Sequence, residues 1–345
     1  MFATLLAEAG RVVLAPMEDV SDGVFRRACR SAGASLCVTE FIGAEQLLAD
    51  SAVGRRKAQL AEDDRATGIQ IYGPDPDLLV AAAAVAAAMM PAFLDINCGC
   101  WVPRVAGRGA GAGWLREPAA MVAMAARIAL VGAEAGVPVT VKTRIGWGPE
   151  SHMPIVDLAR RLEDAGVAGL TIHCRVALAG HTGPAEWSWA RRARQAVRIP
   201  VIVNGDVRTA DDVVRALEET GCAGAMVGRG AIDHPWVFRE ARARLAGAVP
   251  ALPTDAERTE MYRQLLVGNC AQRGERRGIG VTRRHIGVLG PLVTNAVRAA
   301  LYSAPSLVAT HLVLDDLFRE RNAAETSGVS RWFRDASDHP GPPPR

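Results

Sequence analysis

The sequence of 345 residues predicts an α/β fold, a TIM (β/α)8 barrel, followed by a small all-helical C-terminal domain. Eight short apolar runs alternate with helical stretches between residues 12 and 230, which is typical of a closed parallel barrel. Almost every run ends in a polar or charged residue, as strands that lead into a barrel active site do. An open doubly wound sheet is the alternative, but such a sheet has no reason to stop at eight units.

The predicted elements follow from these runs and from the helix signals between them. Asp75 before Pro76 marks a helix start, and Gly166 after Ala165 marks a helix end. The strands are predicted at Val12–Met17, Leu36–Phe41, Gly68–Gly73, Phe93–Gly99, Val139–Gly146, Gly169–Cys174, Val201–Asp206 and Gly224–Gly230. The helices are predicted near residues 21–32, 43–50, 76–89, 118–136, 153–165, 187–197 and 209–220.

A linker rich in proline and alanine, residues 246–254, divides the chain. We therefore expect residues 1–245 to form the barrel and residues 246–322 to form the helical domain. Residues 323–345 end in the letters HPGPPPR and are expected to be a disordered tail. Helices of the second domain are predicted near residues 255–272, 281–288, 291–301 and 305–322.

The composition is that of an ordinary globular chain, with 49% apolar and 22% charged residues. The apolar run 78–90 is too short to span a bilayer, and the N-terminus lacks the features of a signal peptide. Seven cysteines without a CxxC pair indicate reduced thiols. We expect a cytoplasmic protein that binds no membrane.

The net charge is only +3, but the charge is unevenly distributed. Residues 239–298 contain eleven arginines and five acidic residues, a balance of +6 that leaves −3 for the rest of the chain. Such a segment can form a face that binds a polyanion. A solvated helix surface explains the same charge equally well.

The strand predicted at residues 93–99 leads into the centre of the candidate site. Asp95 and Asn97 share one face of it because side chains alternate along a strand. Cys100 lies just past its end and is followed by a glycine-rich segment. We expect this segment to be a flexible loop that carries Cys100, Arg104 and Arg108 over the end of the barrel. Its GxGxxA match is a poor Rossmann signal, because it does not form a first β–α turn.

The carboxyl ends of the predicted strands together form a ring of candidate site residues. Loop starts alone would explain two or three polar residues at such positions, whereas this sequence has one at nearly every strand. The ring consists of Pro16, Met17, Glu40, Gln70, Asn97, Cys100, Lys142, Arg144, His173, Arg175, Asn204, Gly205, Asp206, Gly228 and Arg229.

Lys142 stands out because only two of the 40 basic residues are lysines, the other 38 being arginines. A chain that favours arginine this strongly indicates a need for a compact ammonium group at that position. We expect Lys142 to point into the barrel and to bind an anion. An ion pair with a buried carboxylate is the alternative.

The seventh and eighth predicted strands end in Asn204-Gly205-Asp206 and Gly228-Arg229-Gly230. Loops at these two positions of a barrel often bind phosphate, and glycine lets the backbone approach it closely. His173 shares a face with Thr171 and is expected to point into the barrel. No histidine or cysteine cluster has metal-ligand spacing, so we expect no metal.

These motifs resemble the tRNA-dihydrouridine synthase family over about residues 10 to 320. Several motifs follow in the family's order, which makes the resemblance specific. They are LAPMEDVSD (residues 14–22), TEF (39–41), IQIYG (69–73), DINCGC (95–100), VKTR (141–144), TIHCR (171–175), NGD (204–206), GRG (228–230) and RRH (283–285).

The resemblance implies an FMN-binding barrel and a helical tRNA-binding domain that together reduce the C5–C6 bond of particular uridines, with NADPH or NADH as reductant. It implies that Cys100 is the catalytic general acid, since a thiol with a pKa near 8.5 is protonated at neutral pH. We expect a monomer, because the basic face must meet a tRNA.

The implied flavin site comprises Pro16, Met17, Gln70, Lys142, His173, Asn204, Gly205, Asp206, Gly228 and Arg229. The implied substrate contacts are Asn97 and Arg175 at the uracil and Arg283, Arg284 and His285 at the tRNA.

The sequence departs from the family pattern next to the candidate site. Trp101 stands where the family usually has proline, Ala177 and Ala179 stand where it often has arginine and glutamine, and His181 stands where tyrosine is common. Two other functions are therefore considered. One is a lyase that forms a Schiff base on Lys142, and the other is a tRNA-binding descendant without catalysis.

Overall fold

The computed structural model describes residues 1–61, 64, 66–148 and 153–327. The chain divides into two compact units. The first contains Met1–Ala231 and Val237–Pro250, and the second contains Ile232–Trp236 and the residues from Ala251 onward.

The first unit contains one parallel sheet of nine strands. The strands are β1 (Val12–Leu14), β2 (Leu36–Val38), β3 (Ile42–Gly43), β4 (Thr67–Tyr72), β5 (Phe93–Cys98), β6 (Val139–Arg144), β7 (Gly169–His173), β8 (Val201–Asn204) and β9 (Gly224–Val227). Pairing of β2 with β4 closes eight strands into a barrel, and the short β3 lies outside the ring, paired with β4. The TIM-barrel prediction is therefore confirmed. Most strands end earlier than predicted, because the last residues of the apolar runs leave the sheet.

Helices and turns connect these strands. They are α1 (Phe2–Glu8), α2 (Gly23–Ser31), α3 (Ala44–Leu48), α4 (Ala52–Ala58), α5 (Pro76–Ala88), α6 (Pro103–Ala106), a 3-10 helix (Gly111–Arg116), α7 (Pro118–Ala135), α8 (Ile155–Asp164), α9 (Ser188–Ala196), α10 (Ala210–Thr220), α11 (Arg229–Asp233) and α12 (Val237–Leu245). The sequence patterns did not predict α1, α4, α6, α11, α12 or the 3-10 helix. Most of these span too few turns to show a clear helical period.

Side-chain caps fix where several of the predicted helices begin. The Asp75 carboxylate accepts hydrogen bonds from the backbone N–H groups of Asp77 and Leu78, and Pro76 opens the helix. Thr209 and Asp212 form a reciprocal capping box at the start of α10. These side chains satisfy N–H groups that have no partner within the helix.

Helix α1 provides part of the apolar core inside the barrel. Phe2 and Leu6 are buried in one cluster with residues of the surrounding strands, and the Phe2 ring meets the Phe93 ring edge to face at 5.1 Å. A Cβ at Gly169 would lie 2.5 Å from the Phe2 ring, and one at Gly68 would lie 2.3 Å from the Phe93 ring. Glycine at both strand positions leaves the space that these two rings fill.

Helix α7 is the one helix among the described residues that is long and apolar enough to cross a membrane by composition alone. It connects β5 and β6, which pair with each other in the barrel. Met121, Met124 and Ile128 are buried along it. A helix that joins two paired barrel strands packs on the sheet, and this packing accounts for its apolar character.

The second unit is helical. It contains α13 (Asp255–Arg273), α14 (Glu275–Thr282), a 3-10 helix (Arg283–Leu292), α15 (Asn295–Ser303) and α16 (Leu307–Ser327). The helical pattern predicted near 281–288 is largely a 3-10 helix, and the helix predicted near 291–301 begins later, at Asn295. Gly290 has a φ of +56° and Pro291 has no N–H to donate, so the chain cannot continue as an α-helix there. Residues 328–345 of the expected tail lie outside the described residues, and residues 323–327 belong to α16.

Candidate active site

The strand register places the predicted site residues on successive levels inside the barrel. Neighbouring strands pair Gln70 with Asp95, Asn97 with Lys142, and His173 with both Arg144 and Asn204. Paired residues of parallel strands point to the same side of the sheet, so these side chains converge. The levels rise toward the carboxyl end of the barrel, where such folds hold their active sites.

A chain of hydrogen bonds, buried except for the last, links strand β6 to Cys100, two residues past the end of strand β5. Thr140 Oγ1 donates to Asp95 Oδ1 at 2.5 Å, and Gln70 Nε2 donates to Asp95 Oδ2 at 2.5 Å. Asn97 Nδ2 then donates to Gln70 Oε1 at 2.9 Å, and Asn97 Oδ1 accepts the backbone N–H of Cys100 at 3.0 Å. We call these four linked side chains and the Cys100 backbone the amide relay.

Asp95 sets the direction of every bond in the amide relay. A carboxylate can only accept, so Gln70 must turn its NH2 group toward Asp95 and its oxygen toward Asn97. Asn97 must in turn present its oxygen to the Cys100 backbone. Burial raises the pKa of Asp95 to about 6, although the hydrogen bonds from Thr140 and Gln70 lower it. Asp95 is absent from the predicted site set, and its position on the polar face of β5 was the signal for it.

The segment after Cys100 is folded, which corrects the expectation of a flexible loop. Helix α6 and the 3-10 helix Gly111–Arg116 occupy it, and the Ala112 N–H donates to the Cys100 carbonyl at 2.9 Å. A Cβ at Gly111, whose φ is +56°, would lie 2.7 Å from that carbonyl oxygen. Burial raises the pKa of the Cys100 thiol above its usual value, which keeps the proton on sulfur at neutral pH.

Lys142 has no hydrogen-bond or ion-pair partner among the described residues. Its pKa is lowered to about 8. Burial is the main cause and the Arg144 charge adds to it, while Asp95 and Cys100 act in the opposite direction. The alternative of a structural ion pair is therefore not what the described residues form. Arg144 differs, since its guanidinium donates to the carbonyl oxygens of Gly99 at 2.9 Å and Gly180 at 2.8 Å and so holds two loops together.

His173 is buried beside Arg175 at the end of β7. Arg175 Nη1 lies 3.3 Å from His173 Nε2, and because arginine can only donate, that nitrogen must accept. This geometry requires a neutral ring. Burial lowers the pKa of His173, and the charges of Lys142 and Arg144 lower it further. Arg175 also contacts Asp206 at 2.5 Å and the Gly183 carbonyl, which satisfies its guanidinium within the protein.

The ends of β8 and β9 form a glycine-lined edge next to His173. Gly205 has a φ of +107°, and a Cβ there would lie 2.9 Å from His173 Cδ2. Burial raises the pKa of Asp206, but the Arg175 hydrogen bond outweighs it and the net pKa is lowered. Arg229 is half-exposed, with its guanidinium 3.7 Å from Asp206.

The remaining barrel residues of the predicted site complete the ring. Asn204 Nδ2 donates to the Met226 carbonyl at 2.9 Å, which ties β8 to β9. Pro16 and Met17 follow β1, and the Met17 sulfur lies close to Gly228 at the end of β9, 3.7 Å from where a Cβ would stand.

The second lysine, Lys57, lies in a separate ion-pair network after β1 and β2. Its ammonium contacts Glu18 Oε1 at 2.7 Å and Glu40 at 3.8 Å. Glu18, Asp19 and Glu40 bring carboxylate oxygens within 4.8 Å of one another. Because Lys57 neutralises part of this charge, the group is explained as an ion-pair cluster. That the protein binds no metal stays a prediction.

The departures from the family pattern partly converge in the structure. The Trp101 ring meets the His181 ring edge to face at 5.9 Å, and the His181 ring lies 5.7 Å from the His173 ring. Burial lowers the pKa of His181 to about 4, with Arg229 and other cations adding to the effect. Neutral aromatic side chains therefore form a wall beside Cys100.

The basic motif of the second unit is only partly accessible. Arg284 is exposed. Arg283 donates to the Tyr302 carbonyl at 2.6 Å and stacks over the Tyr302 ring. His285 is buried, and its Nδ1 lies 3.3 Å from the Ile232 carbonyl. A role for these three residues at a tRNA stays a prediction.

Comparison with known proteins decides the family. The dihydrouridine synthase family model matches residues 13–307. The chain belongs to the dihydrouridine synthase family. It is 34% identical over 315 residues to a probable tRNA-dihydrouridine synthase of Rhodobacter capsulatus, covering 91% of this chain and 96% of that protein. It is 33% identical over 278 residues to tRNA-dihydrouridine synthase B of Shewanella oneidensis, covering 80% of this chain and 85% of that protein.

A solved structure shares the fold. A 2-naphthoyl-CoA reductase complex superposes with a TM-score of 0.51 at 11% sequence identity, covering 69% of this chain and 50% of that chain. At this identity the similarity concerns the barrel architecture alone. Membership of the dihydrouridine synthase family confirms the resemblance drawn from the sequence motifs.

Proposed function

We propose that this protein reduces specific uridines of tRNA to 5,6-dihydrouridine, with FMN as cofactor and NADPH or NADH as reductant. The observation that carries the proposal is the amide relay, which fixes Cys100 at the carboxyl end of the barrel near Lys142, a lysine that no described residue pairs with. The curated relatives named tRNA-dihydrouridine synthases support the choice of substrate.

The described residues fit an anionic flavin. Lys142 offers an ammonium group that has no hydrogen-bond or ion-pair partner in the described part of the chain, and the second N–H of the Gln70 amide is proposed to face a ring edge. Gly228, half-exposed Arg229 and the Gly205 backbone offer donors and space for a phosphate. Pro16, Met17, His173, Asn204 and Asp206 complete the proposed flavin site. FMN, when bound, supplies hydride chemistry between the nicotinamide and the pyrimidine.

Cys100 supplies the proton of the reaction. As C6 of the uracil gains a hydride, the electrons of the C5–C6 double bond form a C–H bond at C5 with the Cys100 proton, and the thiolate then regains a proton from water. The raised pKa of Cys100 keeps that proton in place before the reaction. Asn97 and Arg175 are both proposed to contact the uracil.

The two-unit division supports a division of labour. We assign catalysis to residues 1–245 and tRNA binding to the helical residues 246–322, with Arg283, Arg284 and His285 in the binding region. A cytoplasmic monomer that uses neither a membrane nor a metal is part of the proposal.

Lys142 also supports a second candidate function. An unpaired lysine with a pKa near 8 is a competent amine for a Schiff base, as in lyases of the aldolase type. Such an enzyme would be colourless and would trap a carbonyl substrate on Lys142 after borohydride treatment. Cys100 and the amide relay would have no part in that chemistry.

The first test is a visible spectrum of the purified protein before and after anaerobic NADPH. The proposal expects a yellow protein that bleaches, and dihydrouridine in an unmodified tRNA transcript. Cys100→Ala should bleach normally but form dihydrouridine about 10²–10⁴-fold more slowly. Cys270→Ala, a partly buried cysteine of the second unit, is the matched control.

A protein that takes up no FMN would overturn the proposal in favour of the lyase. A protein that bleaches and binds tRNA without any turnover would be the non-catalytic descendant.

A further inference from the structure

A pocket of about 240 Å³ lies beside the candidate active site. It is formed by the start of α3, the turn between β4 and α5, and helix α6 with the turn after it. Glu45, Gln46, Tyr72, Arg104 and Arg108 contribute side chains to its wall. None of them belongs to the site residues described above.

The two arginines make the pocket a candidate anion site. Arg104 lies in α6 and Arg108 in the turn that follows it, and both line the pocket. Both are exposed, and neither has a hydrogen-bond or ion-pair partner among the described residues. Burial raises the pKa of Tyr72, and the charges of Arg104 and Arg108 act in the opposite direction. Paired guanidinium groups favour phosphate, which they can bind in a bidentate manner.

The pocket shares a wall with Cys100. Phe41, Val105 and Ala110 form a small apolar cluster, and both Tyr72 and Cys100 pack against it. Val105 and Ala110 also line the pocket. A group bound there is therefore separated from Cys100 by the side chains of this cluster.

The other wall residues suit one nucleotide. Glu45 and Gln46 can accept or donate hydrogen bonds at a base edge, and the Tyr72 ring, itself edge to face with Phe41 at 4.7 Å, offers an aromatic surface. The Asp75 carboxylate at the rim accepts two backbone N–H bonds, which reduces its repulsion of a phosphate. The volume is below the roughly 300–1,000 Å³ of pockets for larger ligands, which favours a single nucleotide over a whole dinucleotide such as NADPH.

We propose that this pocket binds the nucleotide next to the target uridine in the RNA strand, with Arg104 and Arg108 on its phosphate. The inference rests on the proposed function, because it assumes that RNA is the substrate. It extends that function by assigning a subsite for a flanking nucleotide to the segment that carries Cys100.

The test compares wild type with the double variant Arg104→Ala, Arg108→Ala in the flavin-loaded protein. Binding of an unmodified tRNA transcript is measured across a salt series, with KM and kcat for dihydrouridine and the rate of anaerobic flavin reduction by NADPH. We expect KM for the transcript to rise on the order of tenfold with kcat within about twofold, since a ground-state contact is lost. The salt slope should fall by roughly 0.7–0.9 for each phosphate contact removed. Flavin reduction should not change.

Two further variants make the result specific. Arg161→Ala on α8, which removes an exposed arginine of an outer helix, should leave the salt slope unchanged. Arg104→Lys with Arg108→Lys should restore most of the slope, because a phosphate contact needs the charge.

Unchanged transcript binding in the double alanine variant would overturn the inference. So would a rise in the KM for NADPH with unchanged RNA binding, which would assign the pocket to the reductant. If wild type binds the transcript without reducing it, the proposed function fails while the salt slope still tests the pocket.

Discussion

The two sides of the carboxyl end of the barrel accommodate their buried polar groups in different ways. On the β4–β5 side, the amide relay satisfies its polar groups with one another and leaves Cys100 fixed. On the β6–β9 side, cations gather around Lys142, which has no protein partner among the described residues. One side is organised before any ligand binds, whereas the other has a charge that only an anionic ligand would balance. This difference predicts that the relay controls turnover and the cationic side controls cofactor affinity.

The largest effect is expected from breaking the relay with Asp95→Leu. Leucine leaves the Gln70 amide donor without a buried partner, at a cost of about 1–3 kcal/mol, while the Thr140 hydroxyl keeps the Leu94 carbonyl as an acceptor. Gln70 and Asn97 then lose their fixed directions and Cys100 loses its position. We expect kcat for dihydrouridine to fall on the order of 10²-fold, as for catalytic groups displaced by about 1 Å. Thermal unfolding and steady-state kinetics measure the two effects.

Asp95→Asn is the matched variant, because Thr140 Oγ1 also lies 3.2 Å from the Leu94 carbonyl. Its hydroxyl can donate there and accept the new amide, so Gln70 keeps its direction. The asparagine variant should therefore retain most of kcat. Equal losses in the two variants would show that the carboxylate charge matters and that the relay direction does not.

A smaller effect is expected on the cationic side, in the pH dependence of FMN affinity. The Lys142 pKa of about 8 lies below that of a free lysine, so its positive charge is present below pH 8 and is lost as pH rises through that value. FMN affinity should fall by up to about tenfold for each pH unit above 8, because only the protonated fraction binds the anion well. Fluorescence titration would measure the FMN affinity between pH 6.5 and pH 9.5, about 1.5 pH units on either side of the Lys142 pKa.

Two variants sharpen this pH prediction. Lys142→Arg stays charged over the whole range and should give a nearly flat profile. Asp95→Asn removes a charge that raises the Lys142 pKa, so the fall in affinity should begin at lower pH. A wild-type profile as flat as that of Lys142→Arg would contradict the assignment of Lys142 to the flavin.

The smallest effect is expected from Gly205→Ala, at the edge of the cationic side. The backbone at position 205 has a φ of +107°, which strains any residue with a side chain. The added methyl group would lie 2.9 Å from both His173 Cδ2 and Ala185 Cβ. Gly136→Ala is the control, because its φ is +70° with nothing within 4 Å of the added carbon. We expect both variants to lose Tm, with the larger loss in Gly205→Ala. The loss should be about 2–4 °C for each kcal/mol by which the free energy of unfolding falls. Equal losses would mean that His173 and Ala185 move aside freely.

The sequence predicted the barrel well because its signals are local. Each strand is a short apolar run, and a polar residue such as Gln70 or His173 ends it. The resemblance of DINCGC to a family motif identified Cys100 in the same way. Helix α1 was missed because its role depends on Phe2 meeting Phe93, which lies far along the chain. Such contacts follow from barrel closure and not from local periodicity.

The supporting residues of the site were missed for a related reason. The role of Asp95 depends on the orientation of Gln70 and Asn97, which only the folded arrangement defines. The contact between Trp101 and His181 joins two positions that looked like independent departures from the family pattern. The buried position of His285 also requires the fold, since its neighbours Arg283 and Arg284 are both less buried.

The scarcity of lysine gives this protein a built-in chemical reporter. Lys57 is held at 2.7 Å from Glu18, whereas Lys142 pairs with none of the residues that the structure describes and has a pKa of about 8. An amine-selective acylating reagent therefore meets one reactive lysine, besides the terminal amine. An increment mapped to the Lys142 peptide, apart from that on the terminal amine, would report whether the flavin site is open, and its disappearance on adding a compound would report occupancy without any chromophore.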